Sequence, residues 1–257
     1  MWNGTTGMSS SSRSRAAVFL LTGGASPEEI IADARNAEFD GADGIAVELG
    51  KLPPEFRTGE QFRRMMNEVR LPFMFILYRN DLWLGGKDEE RQSFLLEAAR
   101  AGADVIDVMG DLYDPSPFEL THDPAAVAKQ EKLIEEIHSL GSRVVMSSHM
   151  GQARSAEEVL EHLRCQEKRG ADIVKIVTGV NSEEEFLEAI RTTLLLKREI
   201  KTPFIHLCNG SWSRQHRFLG AVFGCSVVFG VHEYRAASLM SQPTIRSLKT
   251  FMNLLPC

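Results

Sequence analysis

After a polar N-terminal segment, short apolar runs alternate with longer amphipathic stretches along the whole chain. The runs are Ala17–Thr22, Gly44–Glu48, Phe73–Tyr78, Asp104–Val108, Arg143–Ser147, Asp172–Val177, Pro203–Leu207 and Ser226–Phe229. Each is continuous and flanked by turn residues, as expected of strands buried on both faces of a parallel sheet. Several of the stretches between them open on marked helix starts. Ser26-Pro27-Glu28-Glu29 supplies an N-cap, a proline at the first helical position and acids in the first turn. Ser155-Ala-Glu-Glu158 and Ser182-Glu-Glu-Glu185 repeat the device and resemble capping boxes, and Asp123-Pro124 opens another long helix. Leu160 and Leu163, then Leu187, Ile190 and Leu194, are the expected inward stripes. Eight strands that each lead into a helix over about 240 residues predict an α/β fold, a (β/α)8 TIM barrel. A doubly wound open sheet is the alternative, but no GxGxxG follows the first strand. The barrel is expected as a single domain over residues 16–257. The Ser/Gly-rich segment 1–15 is expected as a disordered tail.

Composition narrows the function classes. The 257 residues are 43% hydrophobic and 25% charged, as in an ordinary globular protein. A net charge of −6 offers no basic footprint and argues against nucleic acid. Cys165, Cys208, Cys225 and Cys257 are scattered without a CxxC pair. They read as reduced thiols of a cytoplasmic protein, not as a disulfide frame or a zinc site. No apolar run approaches the roughly 18 residues of a membrane span. No paired metal-ligand spacing stands at the strand ends, so no metal is expected.

In a barrel the chemistry lies at the C-terminal ends of the strands. The sixth strand carries Lys175 between Ile173-Val174 and Ile176-Val177. A buried ammonium is costly and escapes by losing its proton, which leaves an amine able to attack a carbonyl. The competing reading is a lysine that snorkels out or pairs with a carboxylate. The fifth strand ends at His149, a proton carrier near neutral pH. Glu48 ends the second strand, and Arg79 follows the third, where it binds a carboxylate or hydroxyls or neutralises Glu48. Arg214 follows a Gly-Ser-Trp-Ser turn and suits bidentate grip on a carboxylate, or else a surface ion pair. Ser238 and Gln242 lie in the loop after the last strand. His138 and His162 are expected to face solvent, and His206 to point into the barrel without a catalytic part. Asp104 and Asp107 read as structural. Gly85-Gly86 beside Trp83 suggests a lid.

Taken together, these segments resemble the type I 3-dehydroquinate dehydratases, from about Ala16 to the end of the chain. VMSSHM with RSAEEVL resembles that family's histidine motif, and ADIVKI its lysine motif. WSR with FLGAVFGCSVVFG resembles its arginine-bearing turn and last strand, and SLMSQPTI its serine- and glutamine-bearing loop. The resemblance implies an imine on Lys175, with His149 as general acid/base oriented by Glu48. It implies Arg214 on the carboxylate and Arg79, Ser238 and Gln242 on hydroxyls or the carboxylate. It also implies a cytoplasmic homodimeric barrel without a cofactor, converting 3-dehydroquinate to 3-dehydroshikimate by loss of water. Departures stand beside these matches. Gly50 replaces an arginine, Leu84 a glutamate and Met109 an acid, with Lys51 and Asp81 as the nearby groups able to compensate. Two alternatives remain: an imine-forming lyase or aldolase acting on a less polar ring ketone or aldehyde, and a non-catalytic binding barrel.

Overall fold

The computed structural model describes residues 15–85, 87–235 and 242–255. Eight strands alternate with eight helices along these segments. The strands are β1 Ala17–Thr22, β2 Gly44–Glu48, β3 Phe73–Ile76, β4 Val105–Met109, β5 Arg143–His149, β6 Ile173–Gly179, β7 Phe204–Asn209 and β8 Val227–Gly230. The helices are α1 Pro27–Phe39, α2 Gly59–Asn67, α3 Asp88–Arg100, α4 Pro124–Ser139, α5 Ala156–Lys168, α6 Glu183–Glu199, α7 Ser213–Phe223 and α8 Ile245–Leu254. All strand pairs are parallel, in the order β7-β6-β5-β4-β3-β2-β1-β8. At the β7–β8 seam, Ser226 N–H donates to Phe204 O at 2.8 Å and Phe204 N–H to Ser226 Oγ at 3.2 Å. The result is the expected (β/α)8 barrel, nearly closed. No helix among the described residues is long and apolar enough to cross a membrane.

The helix starts follow from the caps. The hydroxyls of Ser26, Ser155 and Ser182 each accept from the N–H three residues on. Only Ser155 forms the reciprocal box, through Glu158. Glu185 instead reaches back to Asn181 N–H at 2.7 Å.

The inward stripe of α6 differs from the expected one. Leu187 is 61% and Leu194 40% exposed, while Ala189, Thr192, Thr193 and Leu196 face the barrel. These four keep helical spacing, and Thr193 answers polar groups on β7 and α7. The buried face of the helix thus carries a partnered hydroxyl alongside Leu196. His162 is also buried, against expectation, because Ser148 Oγ partners its Nε2 at 2.8 Å. His138 stays exposed and pairs with Asp172.

Candidate active site

Strand alternation delivers the site. Met74, Ile76, Val105, Val145, Ile173, Val177, Ile205 and Leu207 belong to the apolar cluster inside the barrel. Side chains two residues apart share a face of a strand. Continuing each inward series toward the C-terminal ends reaches Tyr78 after Ile76, Asp107 after Val105, Ser147 and His149 after Val145, and Lys175 after Ile173. Ser147 pairs in register with Lys175, and His149 with Val177.

These side chains meet around the Lys175 amine, and the residue is 3% exposed. Its Nζ is hydrogen-bonded to Tyr78 Oη, lies 3.2 Å from His149 Nε2 and 3.7 Å from Asp107 Oδ2. Ser147 Oγ donates to Asp107 Oδ1 at 2.6 Å, and Tyr78 Oη to Asp107 Oδ2 at 3.2 Å. Desolvation pulls the Lys175 pKa below its ordinary value, while the Asp107 carboxylate opposes it. Gln166 on α5 clamps the strand behind it, accepting from Lys175 N–H at 3.0 Å and donating to Lys175 O at 3.1 Å. Burial, then Asp107, pushes the Tyr78 phenol well above its usual value.

The acid on His149 comes from an unexpected place. Glu119 Oε2 accepts from both His149 Nδ1 and His149 N–H, each at 2.8 Å. This fixes the tautomer that leaves Nε2 facing Lys175 free of its proton. Burial raises the Glu119 carboxyl, but its bonds to His149 outweigh that and leave it lowered. Glu119 sits in the β4–α4 loop at φ 48, a backbone state that non-glycine residues rarely adopt. The loop is pinned from below. Arg169 donates to Gly110 O at 2.8 Å and to Thr121 O, and Gln130 donates to Gly110 O and Leu112 O. A Cβ at Gly110 would lie 2.5 Å from Glu119 O, so only glycine lets the loop approach this closely.

The other sequence-predicted residues divide. Glu48 does not orient His149. Its carboxylate turns back to accept from Gly50 N–H at 2.9 Å, and burial raises its pKa. A Cβ at Gly50 would meet Glu48 Oε1 at 2.6 Å, so this turn requires the glycine. Arg79 has outward parity, one residue past Tyr78, and is bound by Asp88 at 2.9 Å and Asp111 at 2.7 Å. Asp81 is enclosed with the Arg57 guanidinium, and Lys51 is exposed. Neither replaces the missing groups beside Lys175. Met109 is buried against Arg91. Arg214 lies exposed with its guanidinium over the Tyr234 ring. One helical turn on, Arg217 is buried and donates to Gln242 Oε1 at 3.0 Å and to Cys208 O at 3.2 Å. Burial lowers Arg217 to about 10, so it remains cationic at neutral pH. Ser238 lies outside the described residues, as does Gly86 of the expected hinge, and Trp83 beside it is exposed.

Tyr78, Glu119 and Arg217 were not among the residues expected at the site, and Asp107 was expected only as structural. Strand parity carried the signal for Tyr78 and Asp107. The stripe Ser213, His216, Arg217, Gly220, Ala221 carried it for Arg217. No local pattern marks Glu119.

Among the described residues, the group able to approach a metal is His206, Cys208 and His216, all buried. His206 points outward to α6 and α7, against expectation, because Ile205 and Leu207 take the barrel face. Thr193 Oγ1 bridges His206 Nδ1 at 2.9 Å and His216 Nε2 at 3.1 Å, and Thr178 stands between His206 and Cys208. Two threonine hydroxyls thus lie within hydrogen-bond reach of these ligand atoms.

The chain matches the family described as Type I 3-dehydroquinase over residues 18–256. The 3-dehydroquinate dehydratase of Klebsiella pneumoniae subsp. pneumoniae is 29% identical over 240 residues, covering 89% of this chain and 88% of that protein. That of Alkaliphilus oremlandii is 29% identical over 185 residues, covering 71% and 69%. The solved type I 3-dehydroquinate dehydratase of Clostridium difficile superposes with a TM-score of 0.77 at 19% identity, covering 93% of this chain and 92% of that one. The 3-dehydroquinate dehydratase structure from Geobacillus kaustophilus gives 0.75 at 19% identity, covering 93% and 91%. At such identity the structural likeness speaks for the fold.

Proposed function

The chain belongs to the type I 3-dehydroquinase family, and from that premise we propose which of its residues carry the family's reaction. The protein is a lyase that removes water from 3-dehydroquinate through an imine, giving 3-dehydroshikimate. Lys175 supplies the nucleophile, because desolvation makes its ammonium easier to deprotonate. Attack on the ring ketone and loss of water leave a protonated imine. That nitrogen then accepts the electron pair released as the neighbouring carbon loses its proton. His149 Nε2, 3.2 Å from the amine, takes this proton and returns it to the leaving hydroxyl, and water then hydrolyses the product imine to free 3-dehydroshikimate and the Lys175 amine. Glu119, in the place expected of Glu48, holds Nδ1–H and stabilises the imidazolium that forms. Arg217 with Gln242, in the place expected of Arg214, holds the carboxylate. Ser238 and Arg79 have no assigned contact in this reading.

The observation that carries the proposal is the approach of His149 Nε2 to Lys175 Nζ at the ends of adjacent strands. Borohydride added during incubation with 3-dehydroquinate is expected to fix a mass adduct on Lys175. Recovery of unmodified Lys175 under conditions that label a proven relative sinks the assignment.

A second reading keeps the imine and changes the ring ketone. Gly50 offers no side chain, and Arg79 is held by two carboxylates. A less hydroxylated ketone that outcompetes 3-dehydroquinate in turnover would favour it. The homodimer is also part of the proposal, and light scattering of the purified chain tests it.

A further inference from the structure

We propose that Tyr78 is a second proton carrier of this site, serving imine formation at Lys175 in relay with Asp107 while His149 serves the elimination. The inference rests on the reading of Lys175 as the imine-forming amine.

Two separate proton routes converge on the Lys175 nitrogen. One runs through His149 Nε2 at 3.2 Å to Glu119 on its far nitrogen. The other runs through Tyr78 Oη to Asp107 Oδ2 at 3.2 Å, and Asp107 is itself 3.7 Å from the amine. Amine, phenol and carboxylate thus close a small ring. Ser147 Oγ holds the other carboxylate oxygen at 2.6 Å, so Asp107 is fixed facing both partners. The Tyr78 and His149 rings meet edge to face at 4.6 Å between centroids, which keeps the two routes side by side. The charged or titratable groups around the amine are Tyr78, Asp107, His149, Glu119 and Arg217. Burial keeps the phenol protonated at neutral pH, ready to donate.

The step balances within this ring. The Lys175 ammonium gives one proton, through Tyr78, to Asp107 as its nitrogen forms a bond to the carbonyl carbon. A second nitrogen proton passes by the same hydroxyl to the alkoxide, giving a neutral carbinolamine. The nitrogen lone pair then forms the C=N bond and the C–O bond breaks. The departing hydroxide takes the proton stored on Asp107, delivered through Tyr78. Ammonium and ketone become iminium and water, and Tyr78 and Asp107 end as they began. A phenol that only braced Asp107 would need no contact with the amine.

The test compares the wild-type protein with Tyr78→Phe in two measurements. In single turnover with 3-dehydroquinate, quenched by borohydride, the Lys175 adduct is expected to form about 100-fold more slowly in the variant. A deuterium isotope effect at the departing hydrogen, expressed in wild-type turnover, is expected to shrink toward unity because imine formation becomes the slow step. The second measurement is methylation of Lys175 by formaldehyde and cyanoborohydride, which passes through an imine whatever the natural substrate. The exposed Lys51 serves as the internal reference. The variant is expected to remain slower on the alkaline plateau, where the amine is neutral in both proteins. Equal plateau rates with a shifted midpoint would mean that Tyr78 only tunes the amine, and would overturn the relay. Equal adduct rates with 3-dehydroquinate overturn it too, and leave the substrate reading intact. A wild type that forms no 3-dehydroquinate adduct, with Tyr78-dependent formaldehyde labelling, sinks the substrate and keeps the relay. Should Tyr78→Phe not fold, fluorotyrosines at position 78 replace it. Labelling rates that ignore the phenol's acidity then count against the proposal.

Discussion

Lys175 on β6 and His206 on β7 are both buried polar residues in otherwise apolar strands, and Ile176 pairs in register with His206. Their surroundings differ in kind. Lys175 faces the barrel mouth among a phenol, an imidazole and a carboxylate that all reach its nitrogen. Its partners offer several places for one proton, at the open end of the barrel. His206 faces the helix layer, where Thr193 and Thr178 answer its two nitrogens. In that cluster Thr193 Oγ1 bridges the two imidazoles within the helix layer. Buried polarity by itself marks neither cluster as functional. The difference lies in unfinished proton sharing at the strand ends, where the His149 side chain is part-exposed.

Lys175→Met is expected to lower turnover by about 10⁴-fold or more and to abolish the borohydride adduct, read by steady-state assay and mass spectrometry. Residual turnover near the wild-type level would remove the imine from the mechanism.

Next come the two acids. Glu119→Gln is expected to lower kcat by about 100- to 1000-fold with a small change in KM, because the His149 tautomer is no longer imposed. Glu48→Gln is expected to cost less than about tenfold, since Glu48 bonds Gly50. The reverse order would restore Glu48 as the partner of His149.

The His206 cluster is expected to announce itself in acid. Desolvation, then Arg217, holds His216 down to about 4 in the folded chain. The unfolded ring binds its proton near pH 6.5, so the unfolded chain gains the proton first. Stability is therefore complete above about pH 6.5 and falls as pH drops toward about 4. The His216 share is on the order of 3 kcal/mol, measured by denaturant unfolding at stepped pH. His216→Gln should flatten that profile, and an unchanged slope would assign the acid sensitivity elsewhere.

The smallest contrast separates two arginines on α7. Arg217→Lys is expected to raise KM about tenfold, because a planar fork is lost at a buried site. Arg214→Ala is expected to stay within about twofold, as for an exposed cation. Initial rates across 3-dehydroquinate concentrations decide between them.

Much of this was legible in the chain. The apolar runs and the Ser and Asp caps determine strands and helices locally, because period and cap chemistry act over a few residues. Lys175 and His149 were also legible, since a cation inside an apolar run and a histidine at a strand end are anomalies within one segment. Strand parity, followed strictly, already separates Tyr78 from Arg79 and admits Asp107. The rest came from contacts between distant segments. Glu119 reaches His149 across 30 positions through a loop pinned by Arg169 and Gln130 and admitted by Gly110. Glu48 meets the N–H of Gly50 within its own turn, while Glu119 meets His149. On α6, Thr193 meets two imidazoles while Leu187 and Leu194 face outward. Short-range patterns set which segments form the barrel and which amine is anomalous. Which acid, phenol and arginine surround that amine depends on hydrogen bonds between distant segments, and only folding brings them within reach.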